Sequence, residues 1–364
     1  MNGLLGKGVA VSKVPVAVLG ATGNIGQRFV SLLQDHPTFE IAALASSERK
    51  VGGSLKAFWR LDDVPLAPHV ASMELQPLDL GVLRKHDVVA AFSGLPSEIA
   101  GDIEMDAARV GVRVFSNASA HRMDPDVPLL VPEVNPNHLR LVERQPAFRE
   151  GGFVVTNPNC SITGLALPLK PLVDSLDLTD VHVATYQALS GAGYPGVPSL
   201  DITANVIPFI EGEEEKMRRE AKKILGSLSD GILPSPIDVW ANCARVAVRD
   251  GHLEAVSIPL KDEIPAGEIA HLLSSFRGEA QVQQLPTAPN QPVIVRAEAN
   301  RPQPLLDLMA GEPARARGMA ATIGRIRVVE RVVRFFVLSH NTIRGGAGGS
   351  VLNAEFAHRR GYLD

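Results

Sequence analysis

Three short stretches carry residue types at spacings that could do chemistry. The first is Asn157-Pro158-Asn159-Cys160-Ser161, which follows the apolar run 152–156 and precedes Ile162, Leu165, Leu167 and Leu169. A thiol at the start of an apolar helix is a nucleophile geometry, because the helix N-terminus favours the thiolate. It lowers a thiol pKa from its free value of about 8.5. Neighbouring N–H groups and the Asn159 amide would cradle an oxyanion. Free cysteines are also common packing residues. The other cysteine, Cys243, stands ahead of a strand with no helix start and is read as one of these.

The second stretch is 244–256, ARVAVRDGHLEAV. Asp250-Gly251 between alternating runs signals a β-hairpin with a two-residue loop, in which Arg249 faces His252 and Arg245 faces Val256. One face then carries Arg245, Arg249, His252 and Glu254, while Val246, Val248, Leu253 and Ala255 belong to the core. Arg245 and His252 would stand about 10–13 Å apart along the strand, able to grip opposite ends of a small anionic substrate. Read alone, such a face is more often simply solvated.

The third is Gly20-Ala21-Thr22-Gly23-Asn24-Ile25-Gly26, set between an apolar strand and a helix. Glycines every third residue let the backbone turn, approach a pyrophosphate and pack helix on strand. The helix N-terminus then offers N–H groups to the anion. With both flanks present, dinucleotide binding is favoured over a structural turn. An NAD site would place an acid at the end of the next strand, about 20 residues past the glycines. Here the run is Ala45-Ser46-Ser47-Glu48-Arg49-Lys50. Its hydroxyls (Ser46, Ser47) and cations suit a ribose 2′-phosphate, so NADP is the expected cofactor, with Glu48 arguing the other way.

These stretches need elements to hold them. Apolar runs at 15–19, 39–44, 87–93 and 112–116 alternate with helical patterns, which predicts a doubly wound α/β parallel sheet. The second half carries a charged helix at 211–225, on whose solvated face Glu214/Arg218 and Glu215/Arg219 would pair. It also has strands at 181–187 and 245–258 and a Pro-rich loop near 286–292. That pattern predicts an α+β mixed-sheet domain, with a boundary near 155–160. A length of 364 residues agrees with two domains. The net charge of −4 offers no field for nucleic acid or anionic lipid, and neither partner is expected. Two cysteines cannot staple a chain this long and point to a reducing compartment. With no targeting or membrane-spanning segment visible, a soluble cytoplasmic protein with an unstructured start of about a dozen residues is expected. No metal ligand set is evident.

Taken in order, the stretches LGATGNIGQRF, VFSNASAHRMDPDVPLLVPEVNP, TNPNCSITGL, YQALSGAGYPGVPSLDI, NVIPFIEGEEEK, RVAVRDGH, NRPQPLLD and HNTIRGGAGGS resemble aspartate-semialdehyde dehydrogenases of the archaeal and fungal branch. The resemblance runs from Val16 to the C-terminal helix and leaves the first 13 residues without a counterpart. It implies a Rossmann-type nucleotide domain over 1–158, completed by 342–364, and a catalytic and dimerisation domain over 159–341. It makes Cys160 the nucleophile, His252 the acid/base, Arg245 the binder of the substrate carboxylate and Gln187 the group that orients substrate. Glu213 and Lys216 match a pair contacting substrate amine and phosphate, and Arg122 a phosphate-binding arginine in the segment that begins at Asn117. Around the dinucleotide, Ser93, Ser190, Gly191, Asn341 and Gly346 join the glycine loop. Ala247 stands where relatives usually have proline.

The implied reaction is the reversible NADP-dependent reductive dephosphorylation of aspartyl 4-phosphate to aspartate 4-semialdehyde, in lysine, threonine and methionine biosynthesis. A homodimer or homotetramer is implied. A malonyl-CoA reductase or related acyl reductase would keep Cys160, Arg245 and His252. A non-catalytic NADP-sensing module would keep only the fold.

Overall fold

The computed structural model describes residues 12–364, so the expected unstructured start falls almost wholly outside the described residues. The first sheet is parallel throughout. It comprises β1 (Val14–Leu19), β2 (Phe39–Ser46), β3 (Leu75–Pro77), β4 (Ala90–Ser93), β5 (Arg113–Ser116) and β6 (Phe153–Thr156), in the order β3-β2-β1-β4-β5-β6. Strands covered on both faces read as continuous apolar runs, and Val16 to Leu19 are all buried. The short β3 ends in proline and carries no alternation, so nothing in its sequence announces it. On one face, Phe29, Phe39, Phe92, Phe115 and Phe153 form a chain of ring contacts. The same core takes in Val351, Leu352, Ala354, Phe356 and Ala357 of the C-terminal helix Gly348–Arg359. That helix is pinned by the buried Glu355 carboxylate, which accepts from His36 Nε2 and the Thr287 hydroxyl.

The second sheet is mixed, as expected. Its strands are β7 (Asp180–Gln187), β10 (Asp238–Arg245), β11 (His252–Pro259), β12 (Val293–Arg296), β13 (Ala321–Val329) and β14 (Val332–Ser339), in the order β10-β7-β11-β14-β13-β12. A small ribbon of β8 (Ser227–Leu228) and β9 (Ile232–Leu233) stands apart. The helices Cys160–Ser175, Glu213–Ile224 and Ala266–Ser275 share this sheet's apolar core.

The expected hairpin at 244–256 does not form. β10 and β11 do not pair with each other; β7 lies between them, parallel to β10 and antiparallel to β11. The chain between them instead folds back on the end of β7, with Val246 N–H donating to Gln187 O and Leu189 N–H to Val248 O. The assignment of faces reverses as well. His252, Glu254, Val256 and Ile258 are buried, whereas Leu253 and Ala255 are only partly covered. Beside them Tyr186 and Trp240 are 42% and 45% exposed. The alternation was read correctly, but the polar face is the one the helices cover. Cys243 lies within β10, not ahead of it; it is buried and its thiol donates to the Met217 sulfur.

The glycine loop is tight. Gly20 has φ 77°, and a Cβ on Gly26 would lie 2.1 Å from the Gly20 carbonyl oxygen. Gly26→Ala should therefore cost about 1–3 kcal/mol of stability through overpacking, measured by chemical denaturation. Dinucleotide affinity should fall with it.

Candidate active site at the junction of the two sheets

β6 ends at Thr156, and Asn157-Pro158-Asn159 turns the chain into the helix that begins at Cys160. Asn159 caps that helix: its Oδ1 accepts from Ser161 N–H at 2.9 Å and from Ile162 N–H at 3.4 Å. Its amide nitrogen donates one proton to Glu213 at 2.9 Å, and Asn159 lines the cavity beside Cys160. Cys160 is half-buried at the foot of a cavity of about 620 Å3. A Cβ on Gly345 would lie 2.7 Å from the Cys160 Cα, so the chain entering the C-terminal helix presses directly on the nucleophile.

The insertion of β7 between β10 and β11 sets three side chains abreast. Arg245 ends β10 and pairs in register with Gln187, the last residue of β7; His252 opens β11 on the other side. Arg245 and His252 are thus two strand spacings apart, about 10 Å across the sheet, and not along one strand. His252 is fully buried behind the cavity wall, with Nε2 3.2 Å from the Cys160 sulfur. Its Nδ1 accepts from Ala188 N–H at 3.1 Å, and Arg245 Nη1 donates to the Ala188 carbonyl at 2.8 Å.

The charged helix sends two carboxylates to the same place. Glu213 accepts from Gln187 Nε2, Asn159 Nδ2 and Ser161 Oγ. Glu220 accepts from Asn159 N–H at 2.6 Å and from Arg122 at 3.0 Å. Arg122 also donates to the Asn117 carbonyl and leaves its Nε without a partner. Lys216, one turn on from Glu213, reaches the cavity rim. The expected Glu214/Arg218 and Glu215/Arg219 pairs are not among the ion pairs of the described residues. Glu214 accepts the Cys243 N–H instead, and Arg218 bridges to Asp238. Tertiary partners outcompete same-helix neighbours worth only a few tenths of a kcal/mol, about 0.2–0.5.

The thiol departs from expectation. Burial, with the Glu213 carboxylate second, pushes Cys160 up to about 12, while Arg122 and Arg245 pull it down. Burial and Arg245 push the His252 imidazole down to about 3. Beneath them, Glu254 is fully buried with neither carboxyl oxygen partnered, and burial with Glu213 nearby raises it well above the usual carboxylate range.

On the nucleotide side, the helix Asn24–Leu33 has no side-chain cap at Gly23, so its first-turn N–H groups stay open to an anion. Thr22, Asn24 and Gln27 line a second cavity of about 270 Å3 beside the first. Asn24 and Ile25 also line the larger one, with Ser190, Gly191 and Asn341. Lys50 Nζ donates to Thr22 Oγ1 at 2.8 Å, and Ser47 and Arg49 are exposed on the same turn. The open helix start and the glycine contacts fit a dinucleotide.

Three expected contacts move. Ser93 is completely buried at the end of β4 and lines neither cavity. Ser46 is 1% exposed with its hydroxyl turned to the Ser47 carbonyl. Gly346 packs on Ile25, and Gly345 lines the cavity in its place. Lys50 was visible within its run. Arg60, stacked 3.6 Å over the Tyr194 ring at the smaller cavity, left no sequence signal. Among the described residues no cluster could hold a metal ion, and no helix is long and apolar enough to cross a membrane.

A doubly wound dinucleotide sheet joins a mixed sheet, with thiol and imidazole in contact where they meet, an architecture of nucleotide-dependent dehydrogenases. Residues 15–142 match the model for the NAD binding domain of semialdehyde dehydrogenase, and residues 169–344 match its dimerisation domain. The chain belongs to the semialdehyde dehydrogenase family. It is 46% identical to an aspartate-semialdehyde dehydrogenase of Methanothermobacter thermautotrophicus, over 94% of this chain and 98% of the relative. It is 38% identical to a malonyl CoA reductase (NADP) of Metallosphaera sedula, over 96% and 98%. The crystal structure of aspartate semialdehyde dehydrogenase with NADP from Candida albicans superimposes with a TM-score of 0.84 at 36% identity, covering 96% of this chain and all of that one.

Because Glu213 holds the thiol up, Glu213→Gln should move the pH dependence of Cys160 alkylation to lower pH. Iodoacetamide rates across a pH series read this directly; an upward move would contradict the electrostatic assignment.

Proposed function

We propose that the chain is an NADP-dependent aspartate-semialdehyde dehydrogenase, interconverting L-aspartyl 4-phosphate and L-aspartate 4-semialdehyde through a cysteine thioacyl intermediate. The observation that carries this reading is a single cavity in which a thiol touches an imidazole, with Arg122, Lys216, Arg245 and Glu213 around it. The named relatives and the NADP-bound structure support the same reading.

In this reading Arg245 holds the substrate carboxylate through its planar fork, which selects aspartyl compounds over simple aldehydes. Glu213 faces the substrate amine, and Gln187, tied to Glu213, orients the acyl chain. Cys160 attacks the acyl phosphate carbonyl. With Ser161 and Ile162 N–H groups taken by Asn159, the N–H of Cys160 and the second proton of the Asn159 amide are the donors left for the oxyanion. Phosphate departs toward Arg122 and Lys216, leaving a thioester that persists yet accepts reduction. The glycine loop, Ser47, Arg49 and Lys50 would hold the dinucleotide, with Asn24, Ser190, Gly191 and Asn341 near its reactive ring. When bound, NADPH supplies the hydride that reduces the thioester. His252 Nε2, in contact with the sulfur, moves the proton as aldehyde leaves.

The matched dimerisation domain and the exposed Tyr186 and Trp240 on the uncovered sheet face support a homodimer or homotetramer built through that face. A cytoplasmic enzyme of small metabolites accords with the charge and composition. A second reading, malonyl-CoA reduction, is favoured by the Metallosphaera relative, because a thioester presents the same activated carbonyl.

Cys160→Ala should abolish NADPH formation from semialdehyde, phosphate and NADP, followed at 340 nm with NAD in parallel; near-normal turnover would remove the nucleophile assignment. Malonyl-CoA in the same assay separates the two acyl donors. Arg245→Leu should chiefly raise the semialdehyde KM and also lower kcat through misplacement. An unchanged KM would remove Arg245 from the carboxylate role.

A further inference from the structure

Ala188 joins the acid/base residue to the carboxylate-binding one. Its N–H donates to His252 Nδ1, and its carbonyl accepts from Arg245 Nη1. A backbone amide keeps its proton, so Nδ1 must present a lone pair and the single imidazole proton sits on Nε2. Nε2–H then faces the Cys160 sulfur at 3.2 Å. In that arrangement the histidine has no lone pair to offer a thiol. Both partners hold protons and neither can take the other's, so the ligand-free dyad is closed. The surroundings keep it closed: burial and then Glu213 oppose the thiolate, against Arg122 and Arg245, and burial, Arg245 and His340 oppose an imidazolium, against the Gly251 backbone.

The turn that follows Ala188 is tied to the ligand cavity on both sides. Asn24 Nδ2 donates to the Ser190 carbonyl at 3.0 Å, and Asn341 Nδ2 to the Ser190 hydroxyl at 2.8 Å. A Cβ on Gly191 would lie 2.8 Å from Arg245 Nη1 and 3.1 Å from His252 Cε1, so the turn cannot shift without moving against both.

We propose that residues 188–191 are a positioning element that couples substrate binding to activation of the nucleophile. A substrate carboxylate that draws Arg245 from the Ala188 carbonyl releases the Ala188 N–H from Nδ1. As the 188–191 turn moves it opens the buried ring to water of the cavity, through which the imidazole proton is exchanged from Nε2 to Nδ1. Nε2 accepts the Cys160 proton, giving thiolate and imidazolium. The proposal rests on the assignments of Arg245 and Cys160 above and adds the order of events: carboxylate first, thiolate second.

Histidine labelled with 15N reads the tautomer without turnover, so failure here is distinguishable from failure of the dehydrogenase reading, which the 340 nm assay tests. The His252 resonances, identified by their loss in His252→Asn, should show Nε2 protonated and Nδ1 bare in the free enzyme at neutral pH. Saturating L-alanine, an α-amino carboxylate with no activated carbonyl, should place a proton on Nδ1. It should also raise the rate of Cys160 alkylation by iodoacetamide about tenfold, the factor for one unit of thiol pKa. Imidazolium or the Nδ1–H tautomer in the free enzyme overturns the proposal. So does an alanine titration that changes neither signal nor rate.

Discussion

The site depends on one buried carboxylate. Glu213 accepts hydrogen bonds from Asn159, Ser161 and Gln187, and so fastens the charged helix, the start of the nucleophile helix and the end of β7 to one another. A buried charge with several hydrogen-bond partners is tolerable, and one that has lost a partner is costly, so each of the three elements is held where the other two need it. Glu220, seven residues on and therefore on the same side of its helix, repeats the arrangement with Asn159 N–H and Arg122. Glu220 positions Arg122 and the cap, while Glu213 joins Arg122, Lys216 and Arg245 in lining the cavity.

That distribution explains the electrostatic balance around Cys160. The cavity must draw in anionic substrates, which calls for positive charge, yet each buried cation needs a structural counterpart. Arg122 finds it in Glu220, whereas Arg245 has only a backbone carbonyl, leaving its charge available to a ligand. A third buried carboxylate would cancel this. Glu254 avoids doing so because burial and the neighbouring Glu213 keep its proton on.

Much of this was legible in the sequence because it depends on local signals. The glycine loop, the Asn-Pro-Asn-Cys turn and the alternating β-α pattern each specify short-range geometry, and each lies where the spacing placed it. The order of strands in the second sheet was not legible. An Asp-Gly pair between alternating runs is a local hairpin signal, but β7, far earlier in the chain, pairs with β10 on one edge and β11 on the other. Period-two alternation fixes which residues share a face and is silent on which face is covered. A strand whose polar side meets the helices therefore inverts an otherwise correct reading. The thiol differs for the same kind of reason: helix position is visible in sequence, while the burial that chiefly opposes the thiolate, and the carboxylate that adds to it from 53 residues away, are tertiary.

The two helix starts at the junction show how one structural feature is put to different ends. The helix Asn24–Leu33 begins at a glycine that supplies no side-chain acceptor, so its free N–H groups and positive end remain for a phosphate. The helix Cys160–Ser175 begins at Asn159, whose oxygen occupies the next two N–H groups and whose backbone and amide nitrogens are held by Glu220 and Glu213. An uncapped start there would offer the incoming acyl phosphate a competing anion site beside the sulfur, drawing its phosphate toward the helix and away from Arg122 and Lys216. In the proposed reaction, capping closes that alternative and leaves the Cys160 N–H and the second Asn159 amide proton for the carbonyl oxygen. In that reaction the residue that first marked the turn in the sequence both withholds hydrogen bonds from the phosphate and keeps one for the reacting carbonyl.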